Sequence, residues 1–290
     1  MSTPHPIDGG TRLYGIIGHP VAKSLSPCMQ NAAFRAASLN AVYVPFPTQP
    51  EHLDEAVAGL TAAGLAGFNL TVPHKQAILP RLYEITPEAK VIGAVNTVRC
   101  DDGRLRGTNT DAAGFLLSLE HDLGWRANDR RVVMLGAGGA ARAVAYAVLG
   151  AGASELVVAN RTADKAEALC TDMRTLFPAA AVHPRGLDEL AGTAPHLLVN
   201  TTSVGMGDDG RSPVELEPVG VRDAVVDIIY SPLETPLLAQ ARTLGLKTAN
   251  GVGMLLYQGW LAFRYWTDRE ASLESMRQAL SPYVDVVPAR

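Results

Sequence analysis

The segment RRVVMLGAGGAARAVAYAVLGAG, residues 130–152, constrains the fold more than any other part of the chain. Val132 to Leu135 form a short apolar run that reads as a buried strand, small residues follow, and an apolar stretch with helical spacing closes near Gly150. Gly136, Gly138 and Ala141 satisfy G-x-G-x-x-A at the junction. The first glycine permits the tight turn, the second lets a pyrophosphate approach the backbone, and the alanine allows the helix to pack closely on the strand. Together with Ala137, Gly139 and Ala140 they put a helix N-terminus against the phosphates. A chain built around this unit contains an α/β domain for a dinucleotide.

The end of the next strand distinguishes between dinucleotides. NAD sites usually carry an acid about 20 residues on, to hold the ribose hydroxyls. Here ELVVAN runs into Asn160, Arg161 and Thr162, with Lys165 a turn later. An acid would repel a 2′-phosphate, whereas a guanidinium, a hydroxyl and an ammonium suit one, so NADP(H) is the expected cofactor. The competing reading is that Thr162 caps a helix and both cations are merely solvated. HLLVNTT (196–202), AVVDIIY (224–230) and LKTAN (246–250) read as further strands of this domain.

The chain before it alternates differently. YGIIG (14–18), AVYVPFP (41–47) and GLAGFNLTVP read as strands, with helices over 26–38 and 51–63 between them. That βαβαβ order implies a mainly parallel sheet with right-handed crossovers. VNTVRC and RLRGTN flank Asp101-Asp102-Gly103, a hairpin turn, and residues 111–124 form a helix leading out. The run 253–268 is apolar on more than one face and is expected to return as a buried helix onto the first unit. The fold class is therefore α/β with two domains and a deep cleft between them. Residues 1–111, completed by C-terminal helices in 251–290, form the substrate-binding, catalytic domain; 112–250 form the Rossmann-type NADP domain.

Polar groups gather at a few places in the first domain. In FNLTVPHK, Asn69 and Thr71 alternate with Leu70 and Val72, and Lys75 follows Pro73. The three polar groups belong to the carboxyl end of a strand, where open α/β sheets bind ligands; an edge strand with a solvated lysine is the plainer alternative. Ser26 and Pro27 suit the start of a helix, but capping does not explain Ser24, and two hydroxyls there make a small carboxylate site. GAVNT and GTNTD bracket the hairpin; by default Asn96 makes an Asx turn and Asp111 caps a helix. That helix also carries its acid to the mouth of the cleft.

Other classes are excluded or disfavoured. The net charge is −4, so neither nucleic acid nor an anionic membrane is an expected partner. No apolar run reaches the roughly 18 residues of a membrane helix, and the polar start MSTPHPIDGG reads as a loose tail with no signal peptide. Cys28, Cys100 and Cys170 form no CxxC pair, which fits a reducing cytoplasm. Neither His19 nor His74 has a Cys, Asp or Glu at metal-ligand spacing, so no metal is assigned, and no nucleophile motif such as G-x-S-x-G occurs.

Taken together, YGIIGHPVAKSLSP, NLTVPHK, GAVNT, GTNTD, GAGGAARA, NRT, NTTSVGM, DIIYSPLETPLL and NGVGMLLYQG resemble the shikimate dehydrogenase family, from Tyr14 to about Gln278. The resemblance implies an oxidoreductase that interconverts 3-dehydroshikimate and shikimate with NADP(H), in aromatic amino-acid biosynthesis, as a monomer or homodimer. It implies that Ser24 and Ser26 bind the substrate carboxylate with Thr71 and Tyr230, and that Asn69, Asn96, Asp111 and Gln258 hold ring hydroxyls. Lys75 would be the acid/base, close to Asp111. Thr201, Ser203, Gly251 and Met254 would lie along the nicotinamide side. Lys23 and Lys165 depart from the family's usual histidine and arginine. The nearest rival is a quinate/shikimate dehydrogenase preferring NAD, against which stand Asn160-Arg161-Thr162 and Ser26. A non-catalytic sensor of NADP or shikimate would not need both Lys75 and Asp111.

Overall fold

A computed structural model describes residues 7–284. The polar start up to Pro6 and the last six residues lie outside this range. The described residues fall into two compact units, 7–111 with 255–284, and 112–254.

The first unit contains strands β1 (Arg12–Gly18), β2 (Ala41–Pro47), β3 (Leu65–Leu70), β4 (Glu84–Ile85), β5 (Thr97–Asp101) and β6 (Arg104–Thr108). Its helices are α1 (Ser26–Ala36), α2 (Leu53–Ala62), α3 (His74–Ala77) and α4 (Pro87–Ile92). The six strands run in the order β2-β1-β3-β5-β6-β4. β1 pairs parallel with β2 and β3, whereas β3–β5 and β5–β6 are antiparallel. The sheet is thus mixed, because a two-residue turn can only join antiparallel neighbours. That turn uses Asp102 (φ 49°) and Gly103 (φ 74°), both left-handed as a tight hairpin requires.

β3 stops at Leu70, so Asn69 lies on the strand and Thr71 in the loop after it. α3 is only four residues long and does not continue through Leu79. Pro80 has no N–H to offer the carbonyl of Gln76, and its ring disfavours helical geometry at Leu79. Ile17, Phe68, Leu70, Ile78 and Val98 fill one side of this sheet. The chain returns with α10 (Val252–Thr267) and α11 (Leu273–Leu280). Trp266 of α10 is buried against Tyr14 and Tyr43, and its indole N–H donates to the Val98 carbonyl at 2.9 Å.

The second unit follows α5 (Asp111–Leu123). Its strands are β7 (Arg131–Leu135), β8 (Glu155–Ala159), β9 (Ala181–Arg185), β10 (Leu197–Asn200), β11 (Ala224–Asp227) and β12 (Lys247–Ala249). They form an all-parallel sheet in the order β12-β11-β10-β7-β8-β9. The connecting helices are α6 (Gly139–Gly150), α7 (Ala163–Leu176), α8 (Leu216–Val219) and α9 (Pro236–Thr243). β9 is absent from the strands read out of the sequence. Pro184 interrupts its pattern, and the structure accommodates that proline where the rule for strands allows it, on an edge. Val133, Leu135, Val157, Leu198 and Val225 make the core of one face. Strand order reverses between β7 and β10, which opens a crevice at their carboxyl ends. Among the described residues no helix is long and apolar enough to cross a membrane.

Candidate active site

The first unit gathers its polar side chains around one ion pair. Lys75 Nζ lies 2.6 Å from Asp111 Oδ2, with side-chain exposures of 15% and 5%. Lys75 owes its position to the break after Leu70 and to the Val95 N–H, which donates to the Lys75 carbonyl at 2.8 Å. Asp111 is the first residue of α5, and its other oxygen accepts from Asn96 Nδ2 at 2.8 Å. Asn96 makes no local turn. Its Oδ1 accepts from the Thr110 N–H at 2.8 Å and from Thr97 Oγ1 at 3.0 Å, and its amide also donates to Thr110 Oγ1 at 3.0 Å. Gln258 Oε1 lies 3.5 Å from the same amide nitrogen, the longest contact of the set. Asn69 is tied to Asn96 as well, donating to the Asn96 carbonyl at 3.0 Å and to Thr97 Oγ1 at 2.9 Å. A network this enclosed holds each amide in one orientation.

Tyr43 is a member that the sequence did not reveal. Its hydroxyl donates to Asn69 Oδ1 at 2.7 Å from a fully buried position on β2. Burial drives the phenol well above its ordinary 10.0, partly offset by a hydrogen bond from the Ser26 hydroxyl. Tyr43 therefore connects two of the expected substrate residues. The available signal was a tyrosine inside an otherwise apolar strand, whose hydroxyl needs a partner when buried. Thr97, Asn109 and Thr110 were likewise not singled out, although they lie in the quoted motifs.

At the start of α1, Ser26 is already the first helical residue and is buried, while Ser24 Oγ accepts the Ser26 N–H at 3.3 Å. Leu25 stands at the N-cap, so Ser26 does not take the capping position expected of it and no side chain caps the helix. Thr71 donates its N–H to the Ile17 carbonyl at 3.0 Å, which fixes the loop between β3 and α3.

The second unit carries the glycine turn at the carboxyl end of β7. Gly136 has φ 108°, and a Cβ there would meet Thr201 Oγ1 at 2.6 Å. Nothing stands within 4 Å of the place a Cβ would take on Gly138. The turn is therefore forced at one glycine and left open for a ligand at the other. Ala141 is a fully buried residue of α6, whose first turn also holds Gly139 and Ala140, with Ala137 just before it. These features fit a pyrophosphate on the helix N-terminus.

Asn160, Arg161, Thr162 and Lys165 follow β8 directly. Asn160 Nδ2 donates to the Thr162 carbonyl at 2.9 Å. Thr162 stands at the N-cap of α7, yet its hydroxyl makes no capping hydrogen bond. Arg161 and Lys165 are exposed and form no ion pair among the described residues.

Two further loops leave the sheet at the ends of β10 and β11. Thr201 uses its hydroxyl on the Leu135 carbonyl at 2.6 Å, and Ser203 is exposed. Asp227, fully buried, receives Asn200 Nδ2 at 3.1 Å, the Ile229 N–H at 3.1 Å and Thr235 Oγ1 at 2.8 Å. Burial pushes its carboxyl above the ordinary 3.8 against the pull of those three donors. The network anchors the segments that carry Thr201, Ser203 and Tyr230. Gly251 lies against the Ile228 carbonyl so closely that no Cβ fits, and Met254 is buried in the first turns of α10. Among the described residues, no group of three His, Cys, Asp or Glu side chains could hold a metal ion.

A glycine cradle at the strand reversal of a parallel sheet and a lysine–aspartate pair in a polar network define a two-domain α/β oxidoreductase that uses a dinucleotide. Three family models match the chain: the shikimate dehydrogenase substrate binding domain over residues 16–98, shikimate / quinate 5-dehydrogenase over 119–196, and the shikimate 5′-dehydrogenase C-terminal domain over 251–280. The shikimate dehydrogenase (NADP(+)) of Geobacter sp. (strain M21) is 47% identical over 279 residues, covering 95% of this chain and 96% of its own. A crystal structure of a shikimate dehydrogenase in complex with NADP+ is 40% identical, with a TM-score of 0.88 over 96% of this chain and 98% of that one. The Thermus thermophilus shikimate 5-dehydrogenase in complex with NADP(H) and shikimate is 39% identical, with a TM-score of 0.85 over 94% of this chain and 100% of that one. The chain belongs to the shikimate dehydrogenase family.

Proposed function

We propose that the chain catalyses the reversible NADPH-dependent reduction of 3-dehydroshikimate to shikimate. The observation that carries this reading is the Lys75–Asp111 pair, held at 2.6 Å inside an amide network and largely shielded from water. Reducing a ketone takes a hydride for the carbon and a proton for the oxygen. Gly136–Ala141 with Asn160, Arg161, Thr162 and Lys165 would hold NADPH, which would supply the hydride. Lys75 gives its proton to the developing alkoxide, and Asp111 keeps the ammonium aimed. Asn96 acts chiefly by holding Asp111, and a ring hydroxyl accepting from it replaces the long contact to Gln258.

Asn69 has both amide hydrogens committed, so it meets the substrate as an acceptor through Oδ1. Ser24, Ser26 and Thr71 receive the carboxylate, a site of hydroxyls that suits one anionic group without a metal. Thr201, Ser203, Gly251 and Met254 border the nicotinamide, and Gly251 does so by letting the chain pass Ile228. Residues 7–111 with 255–284 form the substrate domain in this reading, and 112–254 the NADP domain. The three free thiols support a cytoplasmic setting.

Turnover assays with shikimate and with quinate, each against NADP+ and NAD+, test the assignment. The expected result is NADPH formation with shikimate at the highest kcat/KM. Faster turnover of quinate with NAD+ would transfer the chain to the quinate reading, and no turnover of any pair would leave only a binding protein.

A further inference from the structure

We infer that Arg185 is a third cation of the 2′-phosphate site and a determinant of the preference for NADP over NAD, an inference that rests on the cofactor reading above. The carboxyl ends of β7, β8 and β9 lie side by side in the parallel sheet. The first carries the glycine turn, the second Asn160-Arg161-Thr162, and the third ends on Arg185. Register pairs Ala159 with Arg185, and the Asn160 N–H donates to the Arg185 carbonyl at 3.3 Å. Adjacent strands are about 4.8 Å apart, less than the length of an arginine side chain. A phosphate on a ribose held at Asn160 is therefore within reach of Arg185.

The charges at this end of the sheet favour such a role. Arg161, Lys165 and Arg185 are all exposed, and none forms an ion pair among the described residues. The acids nearest in sequence are Asp164, Glu167, Asp188 and Glu189, and Glu167 is paired with Arg174 at 2.8 Å. Glu189 is engaged by the Gly186 N–H at 2.9 Å, and neither aspartate reaches the three cations. Three unneutralised cations around one strand end match the dianionic charge of a phosphate monoester, and NAD has no group there to receive them.

The test is calorimetric titration of wild type and Arg185→Gln with NADP+, NAD+, adenosine 2′,5′-bisphosphate and AMP. Arg185 is exposed on an edge strand, so the variant leaves the core untouched. NADP+ and the bisphosphate should bind about 5- to 20-fold more weakly, the range for a charge-assisted contact discounted for solvent screening. This loss should shrink as salt is raised, since the screened term is the one removed. NAD+ and AMP should change less than twofold. Equal weakening of all four ligands would put Arg185 on the adenine or ribose and overturn the inference. An unchanged NADP+ affinity would overturn it too. A wild-type protein that binds NAD+ as tightly as NADP+ would instead remove the cofactor reading beneath it.

Discussion

Replacing Lys75 by methionine separates the chemistry of the ion pair from its structural contribution. The change removes a charge 2.6 Å from Asp111 and leaves a carboxylate only 5% exposed. Breaking a buried pair from one side typically costs about 3–5 kcal/mol, because the remaining charge is stranded. Asp111 keeps its bond from Asn96, so the lower end, about 3 kcal/mol, is expected. Pairing the change with Asp111→Asn removes the stranded charge, and the double variant should recover about 2 kcal/mol of that loss. Activity should behave differently. Loss of the acid/base lowers kcat by about 10²–10⁴-fold, with little change in KM or NADP+ affinity, and the double variant should stay equally slow. Urea unfolding, steady-state kinetics and a cofactor titration on the four proteins read both effects. A double variant that regained kcat along with stability would show the pair to be structural, and a kcat within a few-fold of wild type in Lys75→Met would refute the reasoning outright.

Other expectations follow from particular contacts. Ser24→Ala should cost about 0.5–1 kcal/mol through the lost hydrogen bond to the Ser26 N–H and should also erase discrimination between shikimate and an analogue without its carboxylate. Discrimination that survives would leave Ser24 with that hydrogen bond alone. Asp227 has a folded-state value raised above its unfolded one, so the stability it carries falls as pH rises through that interval. Wild type should therefore lose ground to Asp227→Asn in urea unfolding as pH rises above the ordinary carboxyl value of 3.8. A gap that moved the other way would mean the three hydrogen bonds outweigh burial. Burial pushes Cys100 up to about 12 and Cys170 up to about 11. A thiol reagent at mildly alkaline pH should accordingly label neither in the native protein and both in denaturant, and rapid native labelling of all three thiols would contradict that.

The glycine turn and the polar strand end could be read from the sequence because each depends on neighbours within a few residues. Gly136 and Gly138 announce a turn whatever lies elsewhere, and Pro73 ends the strand just ahead of Lys75. What escaped depends on partners far along the chain. Tyr43 meets Asn69 across an intervening strand, and nothing in AVYVPFP states which amide its hydroxyl will find. Ser26 is the first helical residue and not the N-cap because helix ends are the least determined part of a pattern, and a shift of a single residue puts Leu25 at that position. β9 was hidden by Pro184, since a proline argues against a strand until the edge position is known. Asp111 shows the same limit in its local context, which describes a capping residue; one of its oxygens meets a lysine 36 residues away and the other Asn96, and only the family resemblance placed it beside Lys75.

The return of α10 has a consequence for how the molecule is made. Trp266 packs on Tyr14 and Tyr43, and Gln30 Nε2 donates to the Gly259 carbonyl at 2.8 Å. A ribosome delivers residues 7–111 first, yet the core they build lacks its indole until the chain is nearly complete. The segment 112–254, by contrast, emerges as one uninterrupted piece with all six strands of its sheet. Domains commonly mature in the order they are synthesised. Here the order is inverted: the nascent protein would acquire a finished cofactor domain while the half that holds Lys75 still waits for its last helices.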